Sequence, residues 1–304
     1  MTIAFLSHAS EIGGAEQVLL DLLAGIRQIR PHWRLHLVAG ANGPLSAQAA
    51  ALGVSVRRVP LPAKIANLGD AAAGGPAGSS VGRGRLLFRM GLSTVALPSY
   101  VSQLNRALRA IGPDVIQTNS LKAHLIACWA APRKIPVVWH VHDFVSPRPM
   151  MAPLLRQHAV RCSMALAISG AIACDLRVVC GPNLKVTLLD NGIDLNQFSP
   201  VGWRANLDEN AQLPPAPEGI VRLGLVATMA RWKGHRVFLR AIAQLPRELQ
   251  FRAYVIGGPI YQTSGSEENL AALRALANDL GVADRVGFTG FMANAPAVMR
   301  ALGL

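Results

Sequence analysis

Residues 2–30 read TIAFLSHASEIGGAEQVLLDLLAGIRQIR, and residues 35–39 read LHLVA. The almost continuous apolar run at the start predicts a buried strand over Thr2–Ser7. Apolar residues then recur along one helical face, which predicts a helix over Gly14–Arg30, and Leu35–Ala39 has the length of a second strand. A strand, a helix and a strand in this order indicate a parallel sheet covered by helices.

The same alternation continues along most of the chain, and it predicts a fold of class α/β with two doubly wound parallel sheets. We expect a first domain over residues 1–195, a polar, proline-rich linker over 196–218, and a second domain over 219–304. The second domain has only three predicted strands, where an independent sheet of this type has about five or six, so we expect it to be incomplete. The further predicted strands cover residues 54–59, 115–118, 136–140, 164–168, 185–189, 221–227, 251–257 and 285–288.

The bulk composition is that of a folded protein. Of the 304 residues, 51% are hydrophobic and 15% are charged, which supports a buried core and argues against disorder. The N-terminus has no signal-peptide pattern, and every apolar stretch of about 20 residues is interrupted, so we expect a cytoplasmic chain without a transmembrane helix. The four cysteines form no C-x-x-C pair and have no histidine at zinc-ligand spacing, which predicts buried reduced thiols and no metal site.

The formal net charge is +13, and most of it lies in the first domain. Residues 1–200 contain 19 Lys and Arg against 9 Asp and Glu, whereas residues 201–304 contain 11 against 8. Such a field attracts phosphates, acidic glycolipids or an anionic membrane surface, which would make the protein peripheral on the inner face of the membrane. An arginine-rich composition that only keeps the protein soluble explains the charge equally well. No recognised nucleic-acid motif is present, so we expect no nucleic acid partner.

One segment departs from the alternation. Leu61–Gly84 is rich in Gly, Ala, Pro and Ser and predicts a long mobile loop, which in a compact domain is usually functional or disordered. It leads into Arg83, Arg85 and Arg89, which alternate with apolar residues. This pattern predicts either a helix that binds a membrane surface or a substrate, or an ordinary helix with solvated arginines.

Two groups of residues that could contact a ligand follow strands of the first domain. Gly13 and Gly14 stand between the first strand and its helix, where paired glycines let a ligand approach the backbone and the helix N-terminus offers free N–H groups to a phosphate. The spacing is not G-x-G-x-x-G, which disfavours a nicotinamide dehydrogenase, and the chain has no P-loop. His140 and His142, followed by Asp143, lie at the carboxyl end of another strand, and alternation places both histidines on one side.

Two further turns are candidates for function. Asn191 belongs to an Asn-Gly turn after the last strand of the first domain, and this pattern on its own predicts only a turn. Arg231 and Lys233 lie at the opening of a helix in the second domain. A lysine there can pair with a diphosphate while the helix dipole adds to the attraction, although a solvated basic turn is the alternative.

Taken together, these segments resemble the family-4 retaining glycosyltransferases of GT-B fold, in the family's order and over nearly the whole chain. The matching segments are IGGAE at 12–16, PDVIQTNS at 113–120, VVWHVHDF at 137–144, AISGAIACDL at 167–176, DNGIDLNQFSP at 190–200, MARWKGHRVFLRAI at 229–242, and YVIGGPIYQT and DRVGFTGF after it.

The resemblance implies two Rossmann-like domains that bind a nucleotide-diphospho-sugar donor between them. The acceptor, a glycan or a lipid-linked sugar, binds mainly to the first domain. The sugar is transferred with retention of anomeric configuration, usually without a metal and with no cofactor. Gly13 and Gly14 would lie near the donor diphosphate or the acceptor, and His142 would be the catalytic residue that contacts the transferred sugar.

In the second domain the resemblance implies that Lys233 contacts the donor phosphates, supported by Arg231. Gly290 and Phe291 would lie near the nucleotide base. The family often reads G-R-x-x-x-x-K-G here, but Thr228 occupies the usual arginine position, so Arg231 would have to reach in from the next turn. The residues expected to support the site are His140, Asp143 and Asn191.

The family's paired glutamates lie beyond Leu304, so we expect the 304-residue chain to be inactive or nearly so alone. Three other functions remain open. A regulatory pseudo-enzyme would bind a sugar nucleotide without transfer. A UDP-sugar 2-epimerase would change the donor reversibly without an acceptor. A membrane-surface interaction protein would bind anionic vesicles but no nucleotide.

Overall fold

A computed structural model describes residues 1–62, 65, 96–259 and 268–302. The chain forms two compact units, Met1–Ile193 and Asp194–Leu304. Most of the predicted mobile loop, and the basic helix predicted around Arg85, lie outside the described residues. No helix in the described ranges is long and apolar enough to cross a membrane.

The first unit contains a seven-stranded sheet in the order β3-β2-β1-β4-β5-β6-β7, and every neighbouring pair is parallel. The predicted doubly wound parallel sheet is therefore confirmed. Its strands are β1 (Thr2–Ser7), β2 (Arg34–Ala39), β3 (Ser55–Arg58), β4 (Val115–Thr118), β5 (Val137–Val141), β6 (Cys162–Ala167) and β7 (Val186–Leu188). The described helices are α1 (Gly14–Ile29), α2 (Pro44–Ala51), α3 (Ala96–Ile111), α4 (Leu121–Ala130), α5 (Met151–His158) and α6 (Gly170–Cys180).

Helices cover both faces of this sheet, and β1 shows why the strand is apolar throughout. Ile3 and Phe5 pack into the cluster that contains Leu19 of α1, whereas Ala4 and Leu6 pack into the cluster that contains Leu104 of α3. Side chains alternate between the two faces, so a strand covered on both sides needs apolar residues at successive positions. Every residue of β1 is buried.

The strand order reverses direction next to β1. From β1 the chain proceeds outward through β2 to β3, and it then returns to β4 on the other side of β1 and continues to β7. The connections that follow β1 and β4 therefore diverge, which opens a crevice at the carboxyl ends of these strands. The glycine turn follows β1, and His142 follows β5, the strand next to β4.

The second unit contains a smaller parallel sheet, in the order β10-β9-β8. Two parallel-sheet α/β domains, the second of them small, are thus present as predicted. The strands are β8 (Val221–Val226), β9 (Phe251–Ile256) and β10 (Val286–Gly290), and the described helices are α7 (Leu207–Asn210), α8 (His235–Ala243), α9 (Leu270–Asp279) and α10 (Ala295–Ala301).

Part of the segment predicted as a linker packs against this second sheet. Leu207 and Ala211 are buried in one cluster with Tyr254 and Ile256 of β9. Asp208, between them, receives hydrogen bonds from the Tyr254 hydroxyl at 2.6 Å and from the guanidinium groups of Arg252 at 2.6 Å and Arg222 at 3.2 Å. The turn around α7 is therefore joined to the sheet by apolar packing and by charge.

Arg300 of α10 fixes the first residues of the second unit. Its guanidinium donates hydrogen bonds to the backbone carbonyls of Gln197, Ser199 and Trp203 at 2.9–3.0 Å. The planar guanidinium has several N–H donors on separate nitrogens, so it can hold three carbonyl groups at once. The single ammonium nitrogen of a lysine could not span these three carbonyls as well.

The cysteine prediction is correct in part. Cys128 and Cys162 are buried and Cys180 is half-buried, and burial raises the pKa of these three thiols to about 11, 12 and 11. Cys174 lies on the exposed face of α6, so the prediction of a buried thiol is wrong there. A small apolar residue on a helix does not reveal which face it occupies when the neighbouring residues are also small and apolar.

Candidate functional site

The glycine turn of the first unit connects β1 to α1. Gly13 is the N-cap residue, and its backbone N–H donates to the Glu16 carboxylate at 3.1 Å. Glu16 is 5% exposed, and its burial is the main cause of its raised pKa. Because Glu16 already occupies the N–H of Gly13, the first-turn amides of Gly14 and Ala15, which have no partner within the helix, are the ones that can face a ligand.

Open space surrounds Gly14. A Cβ atom added to it would meet no atom of the described residues within 4 Å beyond the backbone of its own helical turn. Gly14 is the first residue of α1, and the packing of the described residues does not require a glycine there. Its exposed backbone leaves room for a group that approaches from outside the protein.

Asn119 connects this turn to the candidate histidine. It follows β4 and is 1% exposed. Its side-chain Nδ2 donates to the carbonyl of Ala15 at 2.8 Å, and its Oδ1 lies 3.0 Å from Nε2 of His142. The ends of β4 and β5 and the first turn of α1 are thus joined through one amide side chain.

Three more histidines lie close to His142. The rings of His140 and His142 are 4.3 Å apart, so the two side chains share one side, as the alternation predicts. His140 is 2% exposed, and its Nδ1 lies 3.4 Å from the Gln117 amide nitrogen. The two other histidines pair with side chains at the end of β4: His124 Nδ1 lies 2.6 Å from Thr118 Oγ1, and His8 Nδ1 lies 2.7 Å from Ser120 Oγ.

Burial keeps this group of side chains uncharged. It lowers the pKa of His140 and His142 to about 4, and it does the same for His8, where the charge of Lys122 adds to the effect. Burial also lowers the pKa of Lys122 to about 8, which leaves the amine mostly protonated at neutral pH. The crevice therefore offers neutral imidazoles, one ammonium group and helix amides.

The loops of the second unit meet at the carboxyl ends of its three strands. Gly257, after β9, has φ of +142°, and a Cβ atom there would lie 1.9 Å from the carbonyl oxygen of Ala227. Only glycine allows this approach. Its N–H donates to the carbonyl of Gly290, and the carbonyl of the next residue, Gly258, accepts from the N–H of Met229.

The turn after β8 carries the predicted phosphate ligands. Arg231 and Lys233 form a short 3-10 turn, both are exposed, and Gly234 leads into α8 with φ of +80°. His235 at the start of α8 is fully buried, and among the described residues neither of its ring nitrogens has a hydrogen-bond partner. Thr228 Oγ1 is also buried without a partner in this part of the chain. Exposed cations thus lie beside buried polar atoms at a helix N-terminus.

The sequence matches one known family over more than half of its length. Residues 12–197 match Glycosyltransferase Family 4. The chain belongs to this family. Residues 220–304 match a second description, Glycosyl transferases group 1. The resemblance stated from the motifs is therefore confirmed, and so is the prediction that the chain is of the glycosyltransferase type.

Individual proteins are similar over part or all of the chain. A GDP-mannose-dependent alpha-(1-6)-phosphatidylinositol monomannoside mannosyltransferase of Mycobacterium tuberculosis is 34% identical over 116 residues, which are 37% of this chain and 27% of the relative. The structure of Anabaena HepE with UDP-glucose superposes with a TM-score of 0.70 at 21% identity, covering 99% of this chain and 72% of HepE. The structure of sucrose-phosphate synthase of Thermosynechococcus elongatus superposes with a TM-score of 0.66 at 18% sequence identity, and the match covers 99% of this chain and 73% of the synthase. These structures show that the fold is GT-B.

In this family-4 chain the predicted residues form two groups, one in each unit. Gly13, Gly14 and His142 lie around the crevice of the first sheet, with His140 behind His142 and Asp143 exposed beside it. Arg231, Lys233, Gly290 and Phe291 lie at the carboxyl ends of β8 and β10 in the second unit, where Phe291 is 66% exposed. Asn191 is exposed in the loop after β7, an edge strand of the first sheet.

The residues missed by sequence reasoning are His8, Asn119, Ser120, Lys122 and Gly257. A signal for two of them, Asn119 and Ser120, was present, because PDVIQTNS ends in polar residues directly after β4. The strand order that places β4 next to β1 was needed to recognise them. Among residues 1–62, 65, 96–259 and 268–302, no group of three or more His, Cys, Asp and Glu side chains is placed to hold a metal ion.

Acid is expected to destabilise the first unit through its buried histidines. The pKa of His140 is about 4 in the folded chain, below the ordinary 6.5, so the unfolded chain binds the proton more tightly. The stability that this produces is full above about pH 6.5 and is lost as the pH falls toward 4. For His140 alone the loss between pH 7 and pH 5 should be about 2 kcal/mol.

Urea unfolding at a series of pH values measures this loss. In His140→Gln the free energy of unfolding should change less between pH 7 and pH 5 than in the wild type. His32→Gln, at an exposed histidine, should leave the pH dependence of that free energy unchanged. The prediction would be contradicted if the free energy of unfolding changed with pH equally in the wild type and in His140→Gln.

Proposed function

We propose that the chain transfers a sugar from a nucleotide-diphospho-sugar to a glycan or a lipid-linked acceptor. The transfer retains the anomeric configuration and needs no metal. HepE binds UDP-glucose, and the mycobacterial relative is named as a GDP-mannose-dependent enzyme acting on a glycolipid. Both names support a sugar nucleotide as donor, and the second supports a lipid-linked acceptor, which would bring the basic first domain to an anionic membrane surface.

The observation that carries the proposal is the crevice at the end of β1 and β4. Gly14 presents open backbone there, and His142 presents a neutral imidazole that is held by Asn119. Amide N–H groups at a helix N-terminus suit phosphate or hydroxyl oxygens, and a neutral imidazole suits a hydroxyl. A sugar nucleotide combines both chemical groups in one molecule.

In the second unit, the proposal assigns the donor diphosphate to the turn after β8. When the bond between the sugar C1 and the diphosphate breaks, the diphosphate gains negative charge. Lys233 and the amides at the start of α8 would stabilise that charge where it develops. The acceptor hydroxyl oxygen then forms the new bond to C1, and its proton passes to the oxygen of the departing diphosphate.

Donor binding is tested first, by thermal unfolding of the 304-residue chain with UDP-glucose, GDP-mannose and ADP-glucose. We expect one nucleotide to raise the melting temperature. Lys233→Ala should weaken that binding by at least about tenfold, because a hydrogen bond to a charged group contributes about 1.5–3 kcal/mol. Arg247→Ala removes an exposed charge elsewhere in the same unit and should have no effect.

The outcomes of this experiment separate the candidate functions. Binding that Lys233→Ala abolishes, followed by sugar transfer that EDTA does not inhibit, supports the proposal. Binding without transfer to any glycan or glycolipid, also in a chain lengthened to carry the family's paired glutamates, would favour a regulatory sugar-nucleotide-binding protein. Transfer that requires a divalent cation would contradict metal independence.

A further inference from the structure

Asn119 makes hydrogen bonds to three separate elements of the first unit. Its backbone N–H donates to the carbonyl of Leu6 in β1 at 3.1 Å, its Nδ2 donates to Ala15 of α1, and its Oδ1 faces His142 after β5. Since the side chain is 1% exposed, water does not compete for these bonds.

The partners of Asn119 fix the direction of each bond. A backbone carbonyl only accepts, so the atom of Asn119 that faces Ala15 must be the amide nitrogen. The oxygen of the amide therefore faces Nε2 of His142. An amide oxygen has no proton to donate, so His142 must donate from Nε2, and in the neutral ring Nδ1 is left with a lone pair.

We infer that Asn119 is a positioning residue that holds His142 as the Nε2–H tautomer, and that it fixes the distance between His142 and the glycine turn. This inference rests on the proposed function for its consequence in catalysis. Nδ1 of His142 accepts a hydrogen bond from a hydroxyl of the donor sugar, so the histidine neither donates a proton to the sugar nor carries a positive charge. Loss of Asn119 allows both tautomers, and only one of them can accept at Nδ1.

The tautomer of His142 is measured directly by ¹⁵N NMR of the chain labelled at its histidines, with His142→Gln to assign the signals. We expect Nε2 to show the shift of a protonated nitrogen and Nδ1 that of an unprotonated one at pH 7. In Asn119→Ala the two shifts should move toward each other as the tautomers mix. A wild-type ring protonated at Nδ1, or shifts that do not change in Asn119→Ala, would overturn the inference.

Asn119→Asp provides a variant that keeps the acceptor at His142. Its carboxylate accepts from Nε2 and attracts the imidazolium form, so the titration midpoint of His142 should rise by about 1 unit or more. Transfer should then become sensitive to acid at a correspondingly higher pH, which a purely structural role of Asn119 would not produce. An unchanged midpoint would count against the inference.

Kinetics of an active preparation separate positioning from folding. Asn119→Ala should lower kcat at least about tenfold with a smaller change in KM, because the histidine is misplaced after the donor has bound. The matched control is Asn105→Ala, which removes a side-chain amide bond to the carbonyl of Ala130 at 2.7 Å in the same unit. It should leave kcat unchanged, and an equal loss in both variants would show a general effect on folding and overturn the role in catalysis.

The NMR measurement does not depend on turnover. If a chain lengthened to carry the family's paired glutamates transfers no sugar but the His142 tautomer depends on Asn119, the proposed function is wrong and the positioning of His142 stands. If sugar is transferred but the tautomer is independent of Asn119, the proposed function stands and the inference is wrong.

Discussion

Asp208→Ala is expected to lower the free energy of unfolding of the second unit by about 3–5 kcal/mol. The carboxylate side chain is 7% exposed, and it accepts from Arg252 and Tyr254 at 2.6 Å each. The Arg252 side chain is itself only 13% exposed, so removing its partner leaves a charge with little access to water. The same change also removes the charged contacts between the segment that contains α7 and the sheet, leaving only the apolar packing of Leu207 and Ala211.

The pKa of Asp208 agrees with this expectation. Burial by itself raises the pKa, but hydrogen bonds from Tyr254, the Ala216 amide, Arg252 and Arg222 outweigh burial and lower it to about 2. A carboxyl whose folded pKa lies below its ordinary value stabilises the fold at higher pH, and this contribution is lost as the pH falls from about 4 to 2. At neutral pH the Asp208 carboxylate is ionised and stabilises the fold fully, so Asp208→Ala removes the whole of this stabilisation.

Hydrogen exchange of the backbone amides measures the effect separately in each unit. Amides of β8, β9 and β10 should exchange faster in Asp208→Ala, while amides of β1 and β4 serve as the internal reference. Glu218→Ala removes an exposed carboxylate from the same segment and should change nothing measurable. A loss below about 1 kcal/mol in Asp208→Ala would show that the second unit does not depend on this charge network.

The sequence predicted the fold well, because the fold depends on patterns that are local along the chain. A strand such as β1, buried on both faces, needs a continuous apolar run, and α1 needs apolar residues on one face. Each pattern can be recognised within a window of a few residues. The positions of His142 and the glycine turn also followed, since each comes directly after such a run.

The contacts that organise the candidate site were not predictable in this way. Asn119 meets Ala15 across 104 residues of sequence and His142 across 23. These contacts arise because β4 pairs with β1 on one side and with β5 on the other, and the order of strands is not a local property of the chain. Asp208 was missed for the same reason, because its partners lie 14, 44 and 46 residues away.

Gly14→Ala is expected to abolish donor binding, or to lower the rate of transfer by about 100-fold or more, without harming the fold. The new methyl group would meet no atom of the described part of the chain within 4 Å beyond its own helical turn, and alanine restricts the unfolded chain more than glycine does. The melting temperature of the unliganded chain should therefore stay the same or rise. A methyl group at this place obstructs only a molecule that comes close to the backbone from outside.

Gly25→Ala is the matched control for this prediction. Gly25 belongs to the same helix, and a Cβ atom there would also meet nothing within 4 Å, but it lies about three turns from the N-terminus of α1. The two variants should gain similar helix stability, so any difference between them in donor binding or transfer measures what approaches Gly14. If both variants bind the donor and transfer sugar like the wild type, no ligand contacts the glycine turn, and the donor or acceptor must be held elsewhere. If only Gly14→Ala loses function, the open space above this residue is part of the substrate site, because the two glycines are alike in the contacts that a Cβ atom would make and differ in their distance from the helix N-terminus.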